Sequence, residues 1–136
     1  MISAWVSRAS AITLGVAGLA FLFAADAILP RLIPEFPARA AWLGQIIAAS
    51  WVALGALNWL SRSQLLGGIY GRAVVSANAT YYFVAALSLL NFHDADSTAA
   101  FRLLLALHAV FALVYCFLLF MGPFERDLRE HAGAMQ

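Results

Sequence analysis

The sequence predicts an all-α membrane protein, a bundle of four transmembrane helices with short loops and a short cytoplasmic C-terminal helix. Three observations lead to this fold class. Residues of the set AVILMFWYC make up 64% of the 136 residues and charged residues only 11%, whereas soluble domains carry roughly 25% charge. The apolar residues gather in four runs, each close to the ~20 residues a helix needs to cross about 30 Å of hydrocarbon. Short polar or proline-rich stretches separate the runs. At this length the whole chain, 1–136, reads as one domain.

The spans are expected at about 10–29, 40–60, 72–90 and 100–121. The first connection, Pro30-Arg31-Leu32-Ile33-Pro34-Glu35-Phe36-Pro37, is expected to break the helix, because proline removes a backbone donor and disfavours helix in the residue before it. The second, Ser61 to Gly68, ends on a glycine pair that relaxes the backbone. The third, Asn91 to Thr98, offers Asp96, Ser97 or Thr98 as a cap whose side-chain oxygen accepts from free N–H groups of the fourth helix. The stretch Met1–Ala27 has a basic Arg8, an apolar run and a small-residue Ala25-Asp26-Ala27, features shared with secretory leaders. The run is long for a leader and Asp26 is awkward in a cleavage motif, so it is counted as a span.

Orientation follows the Lys and Arg count near the helix ends. Arg8, Arg62, Arg72, Arg126 and Arg129 lie on the side of the termini, against Arg31, Arg39 and Arg102 on the other. Both termini are therefore expected in the cytoplasm. Beyond Pro123, Glu125 and Arg129 stand at i,i+4 spacing and predict the short C-terminal helix.

Helical periodicity assigns each span an inward face. Ala11, Gly15, Gly18, Leu22 and Ala25 share a stripe on the first, with Asp26 at its margin; Gly44, Ala48, Trp51, Gly55, Asn58 and Arg62 share one on the second. Small residues let backbones approach closely in lipid, so Gly15, Gly18, Gly44, Ala48, Gly55 and Asn58 form the expected packing seam. The third span aligns Gly71, Val75, Asn78, Tyr82, Ala85 and Leu89, with Tyr81 at the edge, and the fourth Phe101, Leu104, His108, Ala112, Tyr115 and Leu119. At about 1.5 Å per residue, Asn78, Tyr81, Tyr82 and His108 fall within about 5 Å of the bilayer middle, and Asp26 and Gln45 roughly 7 to 10 Å outward. A common polar interior is expected.

Candidate ligand-binding residues are Asn78, Tyr82, His108 and Tyr115, because pockets for lipophilic molecules combine apolar walls with a few orienting polar groups. Asp26 and His108 are candidate proton or ion groups, since ionisable side chains within a span are costly and often mark such routes. The alternatives are a neutral His108 hydrogen-bonded across the bundle and an Asp26 paired with Arg39 or Arg102 or solvated at the interface. Arg102 lies about 120° from His108 on its helix and is expected to reach for headgroups. Haem is disfavoured, because a second histidine within the spans is missing; His93 and His131 lie outside them. No metal is expected: His93, Asp94 and Asp96 lie on one loop and supply no tetrahedral set. Cys116, the single cysteine, sits in an apolar run and is expected to be an inert thiol.

No catalytic residue is assigned: His-Glu-x-x-His, Gly-x-Ser-x-Gly and phosphate-binding Gly-rich motifs are absent from the sequence. With a formal net charge of +1 and scattered arginines, the chain lacks the basic stripe that nucleic acid requires.

The stretch Gly55-Ala56-Leu57-Asn58-Trp59-Leu60-Ser61-Arg62, followed by Asn78 and the His-bearing fourth span, resembles the small four-helix bacterial membrane proteins called DoxX-like. The resemblance implies a four-helix fold and a bacterial inner membrane; some relatives are described as accessory subunits of quinone-linked oxidoreductases. It carries no catalytic residue over to this chain. Three functions are therefore weighed. The first is an oligomerising or accessory subunit of a larger membrane complex. The second is a binder of a quinone or lipid in an intrabundle groove. The third is a proton- or ion-linked transporter or channel subunit.

Overall fold

Residues 2–64, 66 and 71–121 are described in a computed structural model. The expected C-terminal helix falls outside these residues. Four α-helices follow one another: α1 (Ile2–Leu32), α2 (Ala41–Leu60), α3 (Arg72–Asn91) and α4 (Ala99–Met121), with a 3-10 turn at Ala38–Ala40 leading into α2. All four are long and apolar enough to cross a membrane. No strand occurs among the described residues.

α1 departs from expectation at both ends and in its interior. It begins at Ile2 and runs through Pro30 to Leu32, so the chain leaves the helix only at Ile33. The break expected across Pro30–Pro37 is present but begins at Ile33, because a proline in the last turn forfeits a single backbone bond while Leu29 beside it is buried. A second interruption lies earlier, at Ala24, whose φ of −135° and ψ of 30° are non-helical. Carbonyls beside such a break are open to a neighbouring helix. Leu22 O accepts a bond there from Gln45 Nε2 of α2, at 3.4 Å.

The helices associate as two antiparallel hairpins. Backbones run close along α1 and α2 and along α3 and α4, whereas α1 with α4 and α2 with α3 rarely approach. Glycine explains the tight first hairpin. A Cβ at Gly18 would lie 2.9 Å from Val52 Cγ2 and 3.1 Å from Ala48 O, and one at Gly55 would lie 3.1 Å from Gly15 N and 3.2 Å from Ala11 O. Backbone atoms give way less readily than side-chain tips, so a larger residue at either position would press the two helices apart. Gly44 is more forgiving, since its closest obstacle is the tip of Leu29 at 2.9 Å. Gly15 plays a different part in the seam. Its backbone is the surface against which Gly55 packs, but a Cβ on Gly15 would meet nothing within 4 Å.

The inward face of α2 is the expected one: Gly44, Ala48, Trp51, Gly55 and Asn58 are its buried residues. On α1 the face is rotated. Ser7, Ser10, Leu14 and Phe21 are buried with Ala11, Gly18 and Ala25, while Gly15 and Leu22 are only partly covered. Outside, large apolar side chains stand exposed on every helix, among them Phe23, Leu60, Phe83, Leu113 and Phe120. Exposed apolar surface on this scale marks contact with lipid or protein.

Candidate functional site

The second hairpin meets the first through side chains, and the buried polar residues lie at that junction. Each is delivered by helical spacing: Ser7 and Ser10 one turn apart on α1, Trp51 and Asn58 two turns apart on α2, Asn78 and Tyr82 one turn apart on α3, His108 and Tyr115 two turns apart on α4. Asn58, Asn78, Tyr115 and Ser10 are completely buried, and His108 nearly so.

Two hydrogen-bonded groups can be traced. In the first, Asn58 Nδ2 donates to Asn78 Oδ1 at 2.8 Å and to Ser10 Oγ at 2.9 Å. Asn78 Nδ2 returns a bond to Asn58 Oδ1 at 2.6 Å and gives its other proton to Val74 O at 2.8 Å. The carbonyl of Val74 can only accept, which sets the orientation of the Asn78 amide and, through it, that of Asn58. Every donor of both amides is then used. Ser10 Oγ also bonds the Tyr82 hydroxyl at 2.9 Å, so α1, α2 and α3 are tied at one level. Burying an amide without partners costs roughly 2–7 kcal/mol, which is why the two asparagines face each other.

In the second group, His108 Nδ1 lies 2.8 Å from Leu104 O and Nε2 lies 3.1 Å from the Tyr81 hydroxyl. Because the carbonyl accepts, Nδ1 carries the proton, and Nε2 accepts from Tyr81. A neutral imidazole has both nitrogens occupied in this arrangement. Rings connect the two groups: His108 stands 5.7 Å from Tyr82 and 6.1 Å from Trp51 between centroids, and Tyr82 stacks on Tyr115 at 5.7 Å and on Phe111 at 4.9 Å.

Among the described residues, three buried polar atoms make no hydrogen bond, namely Ser7 Oγ, Trp51 Nε1 and Tyr115 Oη. Trp51 interacts with the Tyr81 hydroxyl and Tyr115 with Ser10, but without hydrogen-bond geometry. These atoms are where the interior retains polar capacity.

Of the sequence candidates, Asn78, Tyr82, His108 and Tyr115 do come together. They do so with partners that pattern alone under-weighted: Ser10, Tyr81 and Trp51. Ser7 and Ser10 extend the buried face of α1 by one turn, but in the sequence they lie at the polar edge of the apolar run. Asp26 is not brought to His108. It is exposed on α1, two residues past the break at Ala24, and forms no ion pair among the described residues. Arg102, its proposed partner, donates instead to Ala95 O at 3.0 Å.

At the α3–α4 connection, Thr98 is the cap: its Oγ1 accepts from Phe101 N at 3.1 Å. Ser97 Oγ accepts from Asp94 N at 3.0 Å and donates to Asp94 Oδ1 at 2.9 Å. His93 lies flat against Phe101, with ring centroids 6.4 Å apart. Asp94 and Ser97 are thus engaged in shaping the loop.

No family model matches this chain, and no curated protein or solved structure matches it.

Proposed function

We propose that the chain is an integral protein of a bacterial inner membrane, with both termini cytoplasmic, that acts as an oligomerising or accessory subunit. Four helices of membrane-spanning length and apolarity, with large apolar side chains facing outward on each, support the placement in a bilayer. One observation carries the role. The buried polar groups bond mainly to each other and join two hairpins whose backbones barely approach. Lipid offers helices no hydrophobic drive to associate, so van der Waals packing and interhelical hydrogen bonds must hold them. Within the first hairpin glycine packing does this, and between the hairpins the Ser10–Asn58–Asn78–Tyr82 group does. DoxX-like accessory subunits are the resemblance that agrees with this role. His108 is a poor haem ligand here, since both its nitrogens are engaged.

The test is purification from bacterial membranes in mild detergent, followed by sizing and identification of co-purifying subunits. The expected result is a defined assembly larger than one chain, retained in His108→Ala. A monomer carrying a quinone that His108→Ala releases would overturn the reading.

That outcome would favour a second reading, a binder of a quinone or other lipophilic molecule. The specific support for it is that, among the described residues, Ser7 Oγ, Trp51 Nε1 and Tyr115 Oη are buried without a hydrogen bond.

A further inference from the structure

The start of α1 and the end of α2 carry nearly the same tetrapeptide, Trp5-Val6-Ser7-Arg8 and Trp59-Leu60-Ser61-Arg62. The hairpin is antiparallel, so both tetrapeptides arrive at one end of the bundle. Gly55 rests on Ala11 and Gly15, and Asn58 bonds Ser10. Continuing that register places Arg8 and Arg62 within about 3 Å of the same height, at ~1.5 Å per residue. Each arginine lies over its own tryptophan, Arg8 Cζ at 5.7 Å from the Trp5 ring and Arg62 Cζ at 4.6 Å from the Trp59 ring. Arg62 also donates to Trp59 O at 2.6 Å, which holds its guanidinium near the helix end.

Directly beside this pair, the outer face of the hairpin is hollowed into an open apolar groove of about 280 Å³, lined by Ile12, Gly15, Leu19, Val52, Gly55 and Trp59 among others. Gly15 forms part of its wall, and a side chain there would enter the groove without touching the neighbouring helix. Trp59 belongs both to the groove and to the arginine stack. Arg8 continues the α1 groove stripe, one turn before Ile12 and two before Gly15. Among the described residues the carboxylates are Asp26, Glu35, Asp94 and Asp96, on the connections at the far end or on the half of α1 that leads to them. Neither arginine forms an ion pair within that set.

We infer that this face binds one anionic glycerophospholipid, an acyl chain lying in the groove and the phosphate held between Arg8 and Arg62. Charge complementarity selects the occupant. A second copy docked on this groove about a two-fold axis along the bundle would bring Arg8 and Arg62 against their own equivalents, which like-charge repulsion disfavours. A zwitterionic lipid would fill the groove but gain less from the arginines. Tryptophan at the headgroup level and basic clusters at the membrane surface suit an anionic lipid. The inference rests on the chain spanning a bilayer and leaves the interior polar group untouched.

Native mass spectrometry of the full chain, exchanged from mild detergent into mixed micelles of phosphatidylglycerol and phosphatidylcholine at equal amounts, tests it. Phosphatidylglycerol should be retained preferentially, about five-fold less by either single change Arg8→Gln or Arg62→Gln, and on the order of thirty-fold less by both. Gly15→Leu should reduce retention of both lipids while helicity and detergent-extracted size stay unchanged. Inorganic phosphate in excess should not compete, because it lacks the acyl chain. Equal retention of the two lipids, or retention unaffected by the arginine pair, overturns the inference. So does a dimer that Gly15→Leu converts to monomer, which would put a second copy in the groove. Should Gly15→Leu fail to fold, the arginine variants, which disturb no helix packing, decide the matter. Failure of the chain to enter the membrane fraction would instead defeat the bilayer reading on which this one stands.

Discussion

Asn58 and Asn78 exchange two amide hydrogen bonds, one at 2.8 Å and one at 2.6 Å, between helices whose backbones are otherwise well separated. The pair is reciprocal, so removing either member strands the other in a buried site. Asn78→Ala should destabilise the bundle by about 1–3 kcal/mol, the usual cost of an unsatisfied buried group. The double change Asn58→Leu/Asn78→Leu should cost less than the sum of the singles. Membrane double-mutant cycles bracket the expected coupling at about 0.6 to 1.7 kcal/mol. Reversible unfolding in mixed micelles measures it, and strict additivity of the two singles would contradict the pairing.

Three glycines of one hairpin should respond differently to the same change. Gly18→Leu and Gly55→Leu would press against backbone atoms and should cost well over the ~1–3 kcal/mol of ordinary overpacking. Gly15→Leu should be tolerated, since its Cβ direction is open. Protease resistance and melting in detergent separate the cases. Equal damage at all three positions would show that the seam is not the one described.

His108 should be a neutral imidazole protonated on Nδ1. Nitrogen-15 spectra of the labelled imidazole should report a proton on Nδ1 and a hydrogen-bonded, unprotonated Nε2. Tyr81→Phe should shift only the Nε2 signal and lower stability by about 1 kcal/mol, the net worth of one hydrogen bond. A proton resident on Nε2 would contradict the bond to Leu104 O.

Gln45 should steady the break in α1. Its bond to Leu22 O is long, at 3.4 Å, and Gln45 is largely exposed, so Gln45→Leu should cost less than about 1 kcal/mol. Hydrogen exchange should nonetheless quicken around Ala24 and stay unchanged at the far end of α1. A uniform change along the helix would point to a global effect instead.

Much of the candidate site was legible in the residue pattern. Asn58, Asn78, Tyr82, His108 and Tyr115 fall on inward stripes because polar groups in a span are drawn to the side that can bond them, and small residues share those stripes because close approach needs them. Which partner each would take was not legible. Asn78 could have met His108 or Tyr115 on periodicity alone; that it meets Asn58 depends on the relative heights of α2 and α3. The role of Ser10 was hidden for a related reason, since a serine at the edge of an apolar run reads as a boundary until a neighbouring helix covers it. The interruption at Ala24 has no mark in the sequence, where the nearest proline is Pro30.

Four helices of spanning length, and the inward faces of α2, α3 and α4, follow from run length and from a period of about 3.6 residues, both of which are local properties of the chain. The pairing of the helices as two hairpins, the rotation of α1 that buries Ser7 and Ser10, and the bond of His108 to Tyr81 while Asp26 stays outside arise only when the helices pack together. Those outcomes depend on how far each helix slides and turns against its neighbours. Slide and rotation are set by the summed contacts of all four helices, among them the backbone-to-backbone fit at Gly18 and Gly55, which no single stretch of sequence contains.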